Sequence, residues 1–473
     1  MTRARKTSAS VASSLLFLVL TLASQASAQK IQLPPHEKYV MKNGLTVLLL
    51  EKRGVPIVDV SGIVKTGSLA DPAGQEGLAS VTAGLLRKGT KTRSAQQFAA
   101  DIDFIGGSFD ADASADYSTI SAEFLTKDMA QGLQLVSDAM LHPTFSQGEV
   151  DKMLSQAVDG VKAAKDSAGQ VVYEYYVDYL YDGKQYGRPS GGDEMSLPKI
   201  NRDAVAKFYE TYYTPGNTIL AIAGDFDAAQ MKQKLEEAFG GWQDKAASPV
   251  KVEAMGAAKS KRMLLVDKPD LTQTFFGFGN VGISATDPDR VAVRLINSTF
   301  GEQFTSMLNE ALRVESGLTY GAVSFFDPRK APGPFVVYSY TKNETTTQAI
   351  DMALDVLKKL HTDGLTAAQL TAARSYIKGQ FPPTIETAAQ LARLIASNEY
   401  YGLDDREVNE LEARLDAVTP DIAKKVIAKH YPQDDVVFVL IGKAAEIGPA
   451  VKKYAAKEDT REITAPGFWP GSK

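Results

Sequence analysis

A stretch of the first half of this chain recurs in the second half without a gap, and this self-similarity limits the possible folds more than any local pattern does. Asp203-Ala-Val-Ala-Lys207 aligns with Asp421-Ile-Ala-Lys-Lys425 at an offset of 218 residues. In the same register Tyr213 falls on Tyr431, the apolar run Ile219 to Ala223 falls on Val437 to Ile441, and Gly224 falls on Gly442. Both copies read as a helix, a tyrosine turn, a buried strand closed by glycine, and a second helix over 228–239 and 445–454. The beginnings correspond as well: Gly67 and Asp71-Pro72 match Gly282 and Asp287-Pro288 at offsets of 215 and 216. Each of these turns follows an apolar strand, Val58 to Val64 or Gln273 to Gly279, and precedes a helix. The pattern predicts two tandem homologous domains, 29–243 and 262–455, with a linker at 244–261 and a tail at 456–473.

Inside the first unit, Ser94-x-x-Gln97 is a capping box for a helix that runs to Ile105 and stops at Gly106-Gly107. Two alternating strands follow, 108–113 and 117–125, then helices over 127–141 and 146–164. Paired strands with helices grouped between them predict an α+β fold. Each unit is expected to be a sandwich of a mostly antiparallel sheet packed with helices, rather than a doubly wound parallel sheet.

The first 28 residues read as targeting, because Arg3, Arg5 and Lys6 precede an apolar run from Val11 to Ala23 that closes on Ala26-Ser27-Ala28. That run is short for a bilayer span, which needs about 20 residues. The expectation is an exported, soluble, periplasmic protein beginning near Gln29, with no integral membrane span. Losing those three cations takes the formal charge from −5 to −8, which gives no electrostatic reason to expect nucleic acid.

Cysteine is absent and there are four histidines, His36, His142, His361 and His430. No disulfide framework, cysteine nucleophile or thiolate metal site is possible. The closest two histidines, His361 and His430, are 69 residues apart, so no helical histidine pair exists. His142 precedes Pro143 at a helix end and His430 matches Tyr212 in the repeat, which makes both structural or surface residues. Gly277-Phe-Gly279-Asn-Val-Gly282 matches the dinucleotide fingerprint as a string, but Ile283 to Pro288 separates it from the next helix, and a phosphate site needs that helix to open inside the motif. No Gly-x-Ser-x-Gly elbow or Walker loop occurs.

The run Gly77-Leu-Ala-Ser80-Val-Thr-Ala83-Gly84-Leu-Leu-Arg-Lys-Gly-Thr90 resembles the pitrilysin, insulinase and mitochondrial processing peptidase family of zinc metallopeptidases. In catalytic members this helix carries His-x-x-Glu-His, whose histidines bind zinc and whose glutamate is the general base. Here Ser80, Ala83 and Gly84 stand in those places. The family's third ligand, a glutamate further along the chain, corresponds to the stretch Ala157 to Lys162, where Asp159 is the only carboxylate. The resemblance also covers Tyr186-Gly187 followed by Gly191, the turn Tyr212-Tyr213-Thr-Pro215-Gly-Asn217, and the two-copy layout from about Tyr39 to Tyr454.

A second family element is retained in Leu312-Arg313-Val-Glu315-Ser-Gly317-Leu318-Thr-Tyr320, similar to the Leu-Arg-x-x-x-x-Leu-x-Tyr run that holds substrate near the metal. By its own pattern this is a helix end at 309–316, a stop at Gly317 and a strand from Leu318 to Phe326. A guanidinium there can grip a peptide carbonyl or carboxylate, and a phenol can donate to an oxyanion. The plain alternative is a surface ion pair for Arg313 and a half-buried strand aromatic at Tyr320.

The resemblance implies two sandwich units forming a half-shell, no cofactor in this chain, and zinc in a homologous catalytic partner that carries His-x-x-Glu-His. The protein is then the non-catalytic, substrate-binding subunit of a heterodimeric peptidase, inactive alone and contributing Arg313 and Tyr320 in trans to peptide hydrolysis. The alternative is a catalytically silent peptide-binding or scaffold protein of the same fold.

Overall fold

The computed structural model describes residues 31–243 and 250–469. The proposed signal peptide and residues 244–249 of the proposed linker lie outside the described residues. In chain order the first half contains β1 (Glu37–Val40), β2 (Thr46–Glu51), β3 (Ile57–Val64), α1 (Leu78–Leu85), α2 (Ala95–Phe104), β4 (Ser108–Ala113), β5 (Ser118–Leu125), α3 (Met129–Leu141), α4 (Gln147–Asp166), α5 (Ala168–Leu180), α6 (Arg202–Tyr212), β6 (Thr218–Gly224) and α7 (Ala228–Phe239). The second half contains β7 (Arg262–Asp267), β8 (Gln273–Val281), α8 (Arg290–Asn297), β9 (Ala322–Phe326), β10 (Pro334–Lys342), α9 (Thr346–Asp363), α10 (Ala367–Gln380), α11 (Ala388–Tyr401), α12 (Pro420–His430), β11 (Val437–Gly442), α13 (Ala444–Val451) and β12 (Lys457–Glu462).

The duplication seen in the sequence is a duplication of topology. The two six-stranded sheets run β1-β2-β6-β3-β5-β4 and β12-β7-β11-β8-β10-β9, so five strands of each correspond one to one. β2 pairs with β6 in parallel, as β7 does with β11, and the remaining corresponding pairs are antiparallel. Only the outer edge differs. In the first sheet it is β1, antiparallel to β2; in the second it is β12, parallel to β7. Residues 457–462, within the segment 456–473 read as a tail, pair with β7 as the edge of the second sheet. Their sequence, KEDTRE, hides this because an edge strand with no fully buried residue keeps no apolar alternation.

Each sheet is closed on its outer face by a helix from the other half of the chain. α5 packs across β8 and β11, and α11 packs across β3 and β6. This exchange explains why β6 and β11 are buried at every position. In β11, Val437, Val439 and Ile441 face the α5 tyrosines, while Phe438 and Leu440 face the opposite core. Tyr175, Tyr176, Tyr179 and Tyr181 are almost fully buried. Their hydroxyls are satisfied on the second half, with Tyr176 donating to the Phe335 carbonyl at 2.6 Å and Tyr179 to that of Met263 at 3.1 Å. Burying each such ring contributes about 2–3 kcal/mol.

The glycines of the fingerprint-like string serve this packing. Gly277 and Gly279 lie inside β8 and the next helix opens only at Arg290. A Cβ at Gly279 would stand 2.0 Å from the Phe335 carbonyl oxygen and 2.7 Å from the Tyr176 hydroxyl. The glycines make room for a helix, not for a pyrophosphate.

Asp116, in the β4–β5 turn, ties the halves together. Its buried carboxylate accepts from Tyr186 Oη at 2.7 Å and from the Lys330 backbone N–H at 2.7 Å, with Tyr401 Oη at 3.4 Å. Its carbonyl accepts from Tyr400 Oη at 3.0 Å. Among the described residues, no helix is long and apolar enough to cross a membrane.

Candidate functional site

α1 is anchored as firmly as a metal helix needs to be. Asp71, 4% exposed, accepts from the backbone N–H groups of Gly77 at 2.8 Å and Ala79 at 2.9 Å, which satisfies free donors at the helix start. Gly77 has φ +95°, and a Cβ there would meet the Gly191 carbonyl at 2.9 Å. The scaffold that would present metal ligands is intact, and what it presents is something else.

Ser80 donates to Asp112 Oδ1 and the Ala113 carbonyl, both at 3.3 Å, so its hydroxyl belongs to β4. Ala83 is fully buried. Opposite Gly84, α4 brings Met153, whose Cε would lie 3.2 Å from an added Cβ, so the space of a second imidazole holds a methionine methyl. Asp159 lies exposed on α4. These residues do not fit a zinc ion. Serine, alanine and glycine offer no imidazole, and the helix pair that would frame the metal is packed together by hydrocarbon instead.

Among the described residues, one group of three side chains could hold a cation elsewhere: Asp287, Asp289 and His430. Lys429 already lies 2.7 Å from Asp289, and His430 Nε2 lies 2.9 Å from it. Lys429 first, and His430 second, hold the Asp289 carboxyl below its usual range. The group ties the end of α12 to the start of α8, which is the structural role expected for His430.

Arg313 and Tyr320 occupy an unusual stretch of backbone. Segments 298–302 and 310–315 are π-helical, a form that is rare and often found at functional sites. Gly317, at φ +63°, stops the second segment, and Leu318 N–H donates back to the Leu312 carbonyl at 2.9 Å. The strand does not start at Leu318 but at Ala322. Side chains hold the intervening turn: Thr341 Oγ1 donates to the Leu318 carbonyl at 2.7 Å, and Asn309 Oδ1 accepts from Ala322 N–H at 3.0 Å. Tyr320 is consequently 80% exposed and not a half-buried strand aromatic.

Nor is Arg313 in a surface ion pair among the described residues; its guanidinium lies over the Phe304 ring, 4.2 Å from the centroid. Phe304 is itself 66% exposed, and Val314, next to Arg313 in sequence, is exposed as well. A cation held flat on an aromatic face keeps its N–H edges free to donate. The sequence offered no periodic signal for Phe304, because it sits in the loop between the two π segments.

Residues 46–194 match the family model described as insulinase (peptidase family M16), and residues 199–377 match the model described as the peptidase M16 inactive domain. An uncharacterized zinc protease of Bacillus subtilis is 23% identical over 398 residues, covering 84% of this chain and 96% of that protein. One from Rickettsia bellii is 26% identical over 362 residues, covering 76% of this chain and 86% of that protein. The crystal structure of a peptidase M16 inactive domain from Pseudomonas fluorescens superposes with a TM-score of 0.81 at 24% identity, covering 86% of this chain and 98% of that one. A protease from Helicobacter pylori superposes with a TM-score of 0.79 at 19% identity, covering 87% and 100%. These two likenesses show the fold.

Proposed function

The chain belongs to the M16 (insulinase) family of peptidases as a member whose metal helix lacks its ligands, and from that premise we propose that it is the substrate-binding subunit of an exported heterodimeric zinc peptidase. One contrast carries the reading. Ser80, Ala83 and Gly84 are absorbed into packing, while Tyr320 stands exposed, Arg313 lies half-buried over Phe304, and neither has a hydrogen-bond partner among the described residues. Side chains kept for stability would be expected to bury their apolar parts and pair their polar ends.

In this account zinc and general base belong to a homologous partner with His-x-x-Glu-His. This chain orients the peptide. The Arg313 fork donates to a backbone carbonyl or a carboxylate, and the Tyr320 phenol donates to the oxyanion that develops during hydrolysis. A donor that meets charge only in the transition state is worth about 10²–10³ in rate.

The test is peptide hydrolysis by the reconstituted pair carrying Arg313→Ala or Tyr320→Phe. The phenylalanine variant should lower kcat with little change in KM, and the alanine variant should raise KM as well. The exposed Phe304, Val314 and Tyr320 also suit a silent peptide-binding or scaffold protein, which is the second reading. Unchanged hydrolysis in both variants would favour that second reading and end the first.

A further inference from the structure

We propose that a cavity in the second half of the chain binds the free C-terminal end of a peptide whose last residue is apolar. The cavity measures about 510 Å³ and lies between α8, the end of β9, the residue after α10, α11 and the segment 407–411. Its size falls within the range of about 300–1,000 Å³ usual for ligand sites. The walls are largely apolar, with Val293, Phe326, Phe381 and Leu394 among them.

The polar groups on those walls define the occupant. Arg294 rests its guanidinium over Phe381, 5.8 Å from the ring centroid, and has no carboxylate partner among the described residues. Asn398, on α11, is 9% exposed, and its Nδ2 donates to no acceptor. A buried donor left unmade costs about 1–3 kcal/mol. Glu407 does not compete for Arg294, because Arg290 and Arg414 already hold it.

Arg294, exposed and without an ion pair among the described residues, is available to an anion, and rotation of the Asn398 amide about χ2 offers that anion a second donor. On the rim Glu302 adds an acceptor that forms no ion pair among the described residues. A peptide end meets all three, because its carboxylate accepts from Arg294 and Asn398 while its last N–H groups donate to Glu302. A fatty acid has only the carboxylate, which leaves Glu302 opposed to an apolar chain. The site does not depend on the split-site reading and needs no partner subunit.

The experiment is fluorescence anisotropy with the full chain and two probes, fluorescein-Gly-Ser-Gly-Ala-Leu with a free carboxylate and the same peptide as its C-terminal amide. The free acid should bind about tenfold or more tighter than the amide, the equivalent of losing one charge-assisted contact. Arg294→Met, which keeps an apolar stem at an exposed position, should bind both probes equally and weakly while melting at the wild-type temperature. The proposal is overturned by equal affinity of acid and amide, by no binding of either, or by an Arg294→Met variant that keeps the preference. Displacement of the peptide by octanoate at a lower concentration than by the unlabelled peptide would overturn it too, and would mark a lipid site.

Discussion

Replacing Asp116 by alanine should be among the most damaging single changes outside the hydrophobic cores. The carboxylate is 7% exposed and receives two short bonds, from Tyr186 Oη and the Lys330 N–H, both at 2.7 Å. Bonds to a charged group contribute about 1.5–3 kcal/mol each, and their removal strands a tyrosine hydroxyl that is itself buried. Part of that sum is offset because alanine no longer requires a buried charge, so the expected net loss is about 3–5 kcal/mol. Asp116→Asn keeps the shape and one acceptor oxygen but turns an amide N–H toward a donor, and should lose about 2 kcal/mol. Urea unfolding followed by intrinsic fluorescence measures both. The exchanged helices α5 and α11 also require the wild type to unfold in one cooperative step. A loss below about 1 kcal/mol for Asp116→Ala would refute the claim that this residue holds the two halves together.

Two further outcomes follow from the same structure. Grafting Ser80→His, Ala83→Glu and Gly84→His into the chain should not create a zinc site, because Met153 fills the space at residue 84 and residue 83 is fully buried. Zinc analysis should find no bound metal, and the buried carboxylate should lower stability by about 2 kcal/mol or more; stoichiometric zinc would show that only the ligands had been lost. Asp178, 3% exposed, is pushed by burial, with Asp193 nearby, up to about 8. Its unfolded value is about 3.9, so between roughly pH 4 and pH 8 the unfolded chain is ionised there while the folded one is not. Stability contributed by this site therefore falls as pH rises, by up to about 1.4 kcal/mol per unit. Asp178→Asn removes the effect, and its melting temperature should gain on wild type from pH 5 to pH 8; parallel curves would contradict the assignment.

Much of the architecture was legible because duplication leaves the same turn chemistry twice. The tyrosine turn before β6, the apolar strand and Gly224 find their images around Tyr431, β11 and Gly442 at the same spacing. The Ser94 and Gln97 capping box is present with both of its bonds. The exchange of α5 and α11 left no such trace. A strand covered on both faces is apolar throughout, and nothing in Thr218–Gly224 says which half of the chain supplies the covering helix. The polar edge strand β12 was invisible for the opposite reason, since it buries too little to carry a pattern. At the site, the absent metal ligands could be read from residue identity alone. The exposure of Tyr320 could not, because it depends on Thr341 and Asn309 holding residues 318–321 out of the sheet.

On the proposed function this chain supplies peptide contacts and no metal chemistry. The most direct measurement is peptide hydrolysis by the purified chain alone, assayed with its zinc content, beside the same chain co-purified with an exported homologue that carries His-x-x-Glu-His. The chain alone should show no hydrolysis and no bound zinc, and the pair should hydrolyse peptide faster than the homologue by itself. Zinc-dependent hydrolysis by the isolated chain would contradict the proposed function, as would a homologue whose activity is unchanged by adding this chain.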